Sequence, residues 1–188
     1  MLRLLILADT HVPTRARDLP EQVWGEVERA DVVLHAGDWV EVELLDRMQQ
    51  QAARLIGVYG NNDGPRLRAR LPKVARVELG GLRVAVVHET GTALGREDRC
   101  ARAYPDVDLL VFGHSHIPWD STAPSGLRLL NPGSPTDRRR QPYCSYLTAD
   151  LDRGALQDLA LVRIGAAPDR AAGDRAARDR PASDRAGD

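Results

Sequence analysis

Seven side chains with a nitrogen or oxygen lone pair stand at the ends of apolar runs: Asp9 and His11, Asp38, Asn61, His88, and His114 with His116. Gly113-His114-Ser115-His116 directly follows the run Leu109-Leu110-Val111-Phe112. Two imidazoles one residue apart point to one side of an extended segment. Gly113 relaxes the backbone where a strand gives way to a loop. Asp9-Thr10-His11 repeats the pattern with one carboxylate and one imidazole. Each fragment alone has a bland explanation: loop histidines in water, an N-cap aspartate, or an Asn/Asp/Gly turn at Gly60-Asn61-Asn62-Asp63-Gly64. Together they make a donor set of N and O atoms without cysteine, which suits Mn, Fe, Zn, Ni or Co. Two divalent ions about 3.5–4 Å apart, sharing one carboxylate, clamp a phosphate and generate hydroxide near neutral pH. No serine or cysteine finds a histidine partner for nucleophilic catalysis.

These groups need strands that end at a common edge. Leu2 to Ala8, Asp31 to Ala36 and Arg54 to Tyr59 read as buried strands. Between them, Pro20 to about Ala30 and Trp39 to Gln51 carry apolar residues at helical spacing. This βαβαβ alternation predicts an α/β fold, and it puts Asp9 and Asp38 at one edge if the strands are parallel. His35 lies inside its strand and reads as a core histidine. Val74 to Leu79 and Leu82 to Val87 flank Gly80-Gly81 as a two-residue hairpin. A helix over Gly95 to Tyr104, a strand at Leu109 to Phe112, a hairpin around Pro124-Ser125-Gly126 and a last hairpin around Asp152-Arg153-Gly154 complete the pattern. From Gly165 to Asp188 the composition collapses to small residues, Asp and Arg, predicting a disordered tail (165–188) after one domain over 1–164.

The chain has 188 residues and a formal net charge of −1, so nothing in its overall charge points to nucleic acid. The apolar start Met1 to Ala8 is too short for a membrane span. Cys100 and Cys144 have no metal-ligand spacing and read as free thiols of a reducing compartment, so a cytoplasmic location is expected.

The ordered fragments Asp9-x-His11, Gly37-Asp38, Gly60-Asn61-x-Asp63, His88 and Gly113-His114-x-His116 resemble the motifs of the calcineurin-like metallophosphoesterases. Asn131-Pro132-Gly133-Ser134 is similar to the small YfcE-type phosphodiesterase branch, and the resemblance covers Met1 to Ile164. It implies a four-layer α-β-β-α sandwich of two mixed β-sheets flanked by helices. It implies two divalent ions, Mn first and Ni, Co, Fe or Zn as alternatives. Asp9, His11 and His116 would hold one, Asn61, His88 and His114 the other, and Asp38 would bridge them. A metal-bridging hydroxide would attack a phosphate ester in line with the leaving oxygen, making Asp38, Asn61 and His88 the catalytic candidates. Branch members are often dimers or larger, which leaves a homo-oligomer open.

Two positions depart from the pattern. Many members carry histidine, an acid for the leaving group, where this chain has Asn62. The small branch also lacks that histidine. Activated diesters should therefore turn over better than alkyl esters with a leaving group of high pKa. Glu89 stands where glycine often follows the histidine, either supporting His88 or facing solvent. Asn62 and Arg138 are the candidate substrate contacts, against a solvated face for Arg138-Arg139-Arg140. Asp63 and Asn131 are expected to orient ligands or the turn. A non-catalytic protein-binding scaffold, like the retromer subunit of this fold, is the alternative, as is a phosphomonoesterase or 2′,3′-cyclic nucleotide hydrolase. All seven ligand positions are intact, which favours an enzyme over a scaffold.

Overall fold

Period-two alternation builds the centre of the molecule. In the computed structural model, which describes residues 1–165, Leu4, Ile6 and Ala8 share one apolar cluster with Val84, Val86, Leu109 and Val111. Leu5 and Leu7 share another with Val23, Val27, Leu45 and Met48. One strand thus buries one face against a second sheet and the other against helices. The expected tail lies outside the described residues from position 166 onward.

The first sheet has the order β10-β9-β1-β2-β3, built from β1 (Leu2–Leu7), β2 (Val32–His35), β3 (Leu55–Gly57), β9 (Cys144–Asp152) and β10 (Ala155–Ile164). β1, β2 and β3 are parallel, with Leu7 beside His35 and His35 beside Gly57. The two antiparallel strands β9 and β10 make the sheet mixed. The second sheet has the order β4-β5-β6-β8-β7, from β4 (Val74–Leu79), β5 (Leu82–Val87), β6 (Leu109–Val111), β7 (Trp119–Thr122) and β8 (Arg128–Asn131). Here β5, β6 and β8 run parallel, with antiparallel β4 and β7 at the edges.

Helices α1 (Glu21–Arg29) and α2 (Val42–Gln51) cover the outer face of the first sheet. The short α3 (Pro65–Arg68) follows the loop after β3. Helix α4 (Arg96–Ala103) buries Cys100 with Leu110 and Phe112 against the second sheet. The four layers expected from the sequence are present.

One boundary differs. The spacing predicts helix from Trp39, but α2 starts at Val42. Asp38 and Val40 have φ of 62° and 86°, left-handed conformations that a helix cannot continue through. Trp39 instead stacks on the His35 ring, 3.5 Å between centroids.

Candidate metal centre

The seven expected donors meet at the edge where the parallel strands of both sheets end. Asp9 and His11 follow β1, Asp38 follows β2, and Asn61 follows β3. His88 follows β5, and His114 and His116 follow β6. The chain must turn sharply at each strand end, and five of the donors sit in the left-handed region: Asp9 (φ 54°), His11 (44°), Asp38 (62°), His114 (71°) and His116 (57°). Each such residue costs on the order of 1–3 kcal/mol and persists where the surroundings over-determine it, typically at functional sites.

The ligand atoms of these side chains converge here. Asp9, His11 and His116 form one group and Asp9, Asp38 and His88 another, each within reach of a single ion. A third group joins His88, Glu89 and His114. His116 Nδ1 lies 2.7 Å from the Asp137 carbonyl and so carries the proton, leaving the Nε2 lone pair aimed at Asp9 Oδ1, 3.4 Å away. His88 Nδ1 donates likewise to the Ala36 carbonyl at 2.7 Å. Its Nε2 faces Asn61 Oδ1 at 2.9 Å and Asp38 Oδ1 at 3.4 Å. His114 Nδ1 also lies 2.9 Å from Asn61 Oδ1. His11 Nε2 is 3.2 Å from His116 Nε2 and 3.5 Å from Asp38 Oδ2. Asp9 Oδ2 is buried without a hydrogen-bond partner.

Acceptors facing acceptors require a proton or a cation. Burial lowers the pKa of His11, and brings His116 down to about 4. Burial also pushes the Asp9 carboxyl up to about 8. Once Asp9 ionises, a buried carboxylate beside two neutral imidazoles is a set short of positive charge, which a divalent ion fits. At Asp38 burial acts upward, but the His88 ring and the Asn62 donors outweigh it and hold the carboxyl well below the usual range. Burial opposes the charged form of His88 as well, yet Asp38 and Asp9 raise its pKa.

Residues 2–154 match the family model described as calcineurin-like phosphoesterase superfamily domain. The chain belongs to this superfamily. It is 33% identical over 135 residues to the probable metallophosphoesterase MJ0623 of Methanocaldococcus jannaschii, covering 70% of this chain and 67% of the relative. The phosphodiesterase MJ0936 of the same organism is 23% identical over 160 residues, 78% of this chain and 87% of the relative. Vps29 of Chaetomium thermophilum shares the fold, with a TM-score of 0.72 at 19% identity over 87% of this chain and 97% of that one.

In this calcineurin-like chain a further set of residues holds the donors in place. Asp63, expected to orient ligands or the turn, accepts from the Asp38, Val40 and Gly60 backbone N–H groups, pinning the strained turn. Gly60 passes so close that a Cβ there would collide with the Asp38 carboxylate and backbone. Asn131 donates to the Gly113 carbonyl at 2.8 Å and accepts from Gly133 N–H. Ser134 donates to the Asp9 carbonyl at 2.7 Å, and Thr136 donates to that of Thr10 at 2.6 Å. The Asn131–Ser134 turn thus braces both the first and the last donor loops. His35 is the core histidine expected. Its Nδ1 accepts from Gly37 N–H, so Nε2 donates to Thr10 Oγ1, which in turn donates to the Asp38 carbonyl.

The two expected substrate contacts are placed differently. Asn62 donates through its backbone N–H and its Nδ2 to the two Asp38 oxygens, at 2.9 and 2.6 Å. Arg138 donates to the Gln141 carbonyl. Arg15 and Arg139 line a hollow with His11 and Asn62, and Arg139 donates to the His114 carbonyl at 3.3 Å. Glu89 stands 3.8 Å from His114 Nδ1, beside that ring rather than His88 alone.

Proposed function

We propose that this chain is a metal-dependent phosphodiesterase with a dinuclear centre. The observation that carries this reading is Asp38, whose two oxygens face opposite donor groups: Oδ1 toward His88 and Oδ2 toward His11. Asp9, His11 and His116 would hold one ion and Asn61, His88 and His114 the other, with Asp38 between them. When bound, the ions supply positive charge for the phosphoryl oxygens and a nucleophilic water of lowered pKa. Manganese is the first expectation for both.

The protein's own part is pre-organisation. The Ala36 and Asp137 carbonyls fix the His88 and His116 tautomers so that Nε2 faces inward. His88 and Asn62 together hold the Asp38 carboxyl in its ionised form, and the Asn62 donors orient it. Arg139 places a cation at the rim, where a phosphate oxygen would arrive. Asn62 has no proton to give a departing alkoxide. Aryl diesters should therefore be cleaved faster than alkyl ones, with a steep dependence of rate on leaving-group pKa. A flat dependence across a series of substituted phenyl esters would count against this assignment.

The fold shared with Vps29 makes a non-catalytic scaffold the second reading. Metal-stripped protein assayed on bis-p-nitrophenyl phosphate, with Mn, Ni, Co, Zn and Mg restored one at a time, separates the two. Metal-restored hydrolysis that disappears in Asp38→Ala supports the enzyme. Full metal binding with no hydrolysis supports the scaffold.

A further inference from the structure

A pocket of about 260 Å³ opens beside the second donor group, and Asn61, His88 and Glu89 are among its lining residues. The rest of its wall is less polar, with Tyr59, Tyr104, Val74 and Val87, and the exposed Arg68 and Lys73 stand at the margin. Aromatic residues are scarce in this chain, yet two of its four tyrosines line this hollow. Arginines hold both rings. The Arg68 guanidinium lies 5.0 Å from the Tyr59 ring and that of Arg76 5.3 Å from the Tyr104 ring. Arg68 is itself tied to the Asp63 carbonyl. Val74, 37% exposed, is an apolar side chain left in reach of solvent at this margin. Lys73, the chain's single lysine, has no acidic partner within ion-pair distance among the described residues.

We infer that this pocket receives the organic arm of the ester, and that the arm is a planar nitrogenous ring of the nucleobase class. The inference rests on the dinuclear reading, because the pocket shares Asn61 and His88 with the donor group beside which the phosphate would sit. Tyrosine rings and valine methyls offer flat apolar surface to a ring. The free ammonium of Lys73 offers a donor to the carbonyl or ring-nitrogen acceptors such a ring carries at its edge. The volume lies just below the roughly 300 Å³ at which drug-sized pockets begin, a size for one ring system.

Equilibrium binding by calorimetry tests this, with adenosine 5′-monophosphate and ribose 5-phosphate as probes on the manganese-loaded full chain. The two share the phosphate and sugar and differ in the base. The expected result is at least about tenfold tighter binding of the nucleotide, the scale of base–aromatic stacking. The preference should shrink to within about twofold in Tyr104→Leu and fall by part in Lys73→Ala. The second variant is a surface change that spares the fold. Equal affinities in the wild-type protein would overturn the pocket assignment. The dinuclear reading is scored separately, by whether ribose 5-phosphate binding needs manganese and is lost in Asp38→Ala. If neither probe needs the metal, both readings fall together. If only the preference is missing, the pocket assignment alone fails.

Discussion

The two donor groups on either side of Asp38 differ in what encloses them. Asp9, His11 and His116 are buried, none more than 5% exposed. On the other side His88 is as buried as His11, but Asn61 is exposed and about half of the His114 side chain reaches solvent. The buried group contains a carboxylate oxygen with no hydrogen bond, and its backbone is tied down by Ser134 and Thr136. The open group contributes a neutral amide where the other has a charged carboxylate, and it borders the tyrosine-lined pocket. If the proposed dinuclear reading holds, the closed side would carry the tighter ion and the open side a weaker, exchangeable one.

Removing the element common to both sides should have the largest effect. Gly60→Ala drives a methyl group into the Asp38 carboxylate, so both ions should be lost and diester hydrolysis should drop by about 10²–10³-fold or more. Retained hydrolysis would mean that Asp38 is not the shared ligand. Breaking one side at a time gives intermediate effects of unequal size. His116→Ala should weaken ion binding on the closed side at least about 100-fold, and His114→Ala about tenfold on the open side, as read by equilibrium dialysis against manganese. Equal losses would erase the distinction between the sides.

The smallest effect is in pH. Burial pushes the Asp9 carboxyl of the metal-free fold up to about 8, above its value in an unfolded chain. Its contribution to stability is therefore full below the ordinary carboxylate range and is lost as pH rises through about 8. A cation restores that loss, so the rise in Tm on adding manganese should grow from pH 6 to pH 8. A Tm gain that shrinks over this window would contradict the burial argument at Asp9.

Local pattern carried much of this. The apolar runs marked β1, β2 and the two-residue hairpin between β4 and β5, because alternation and Gly-Gly chemistry are local. The donors were legible because each stands one to four residues past such a run. Strand order was not: β9 lies between β1 and β10, and nothing within either segment says so. The four residues of α3 are too few to show a period. Arg139 could not be told from Arg138, since a run of identical residues has no phase. A left-handed turn at Arg139, φ 48°, decides which neighbour faces the site. The hold of Ser134 on Asp9 joins positions 125 apart, a contact no local window contains. Asp63 could be placed near the site from its spacing, but not the three backbone donors it gathers.

The central claim is that Asp38 stands between two ion sites of unequal strength. Calorimetric titration of metal-stripped protein with manganese tests it most directly. The account predicts two ions per chain with separable affinities, only the weaker one perturbed in His114→Ala, and neither bound normally in Asp38→Ala. A single ion per chain, indifferent to His114 and to Asn61, would contradict it.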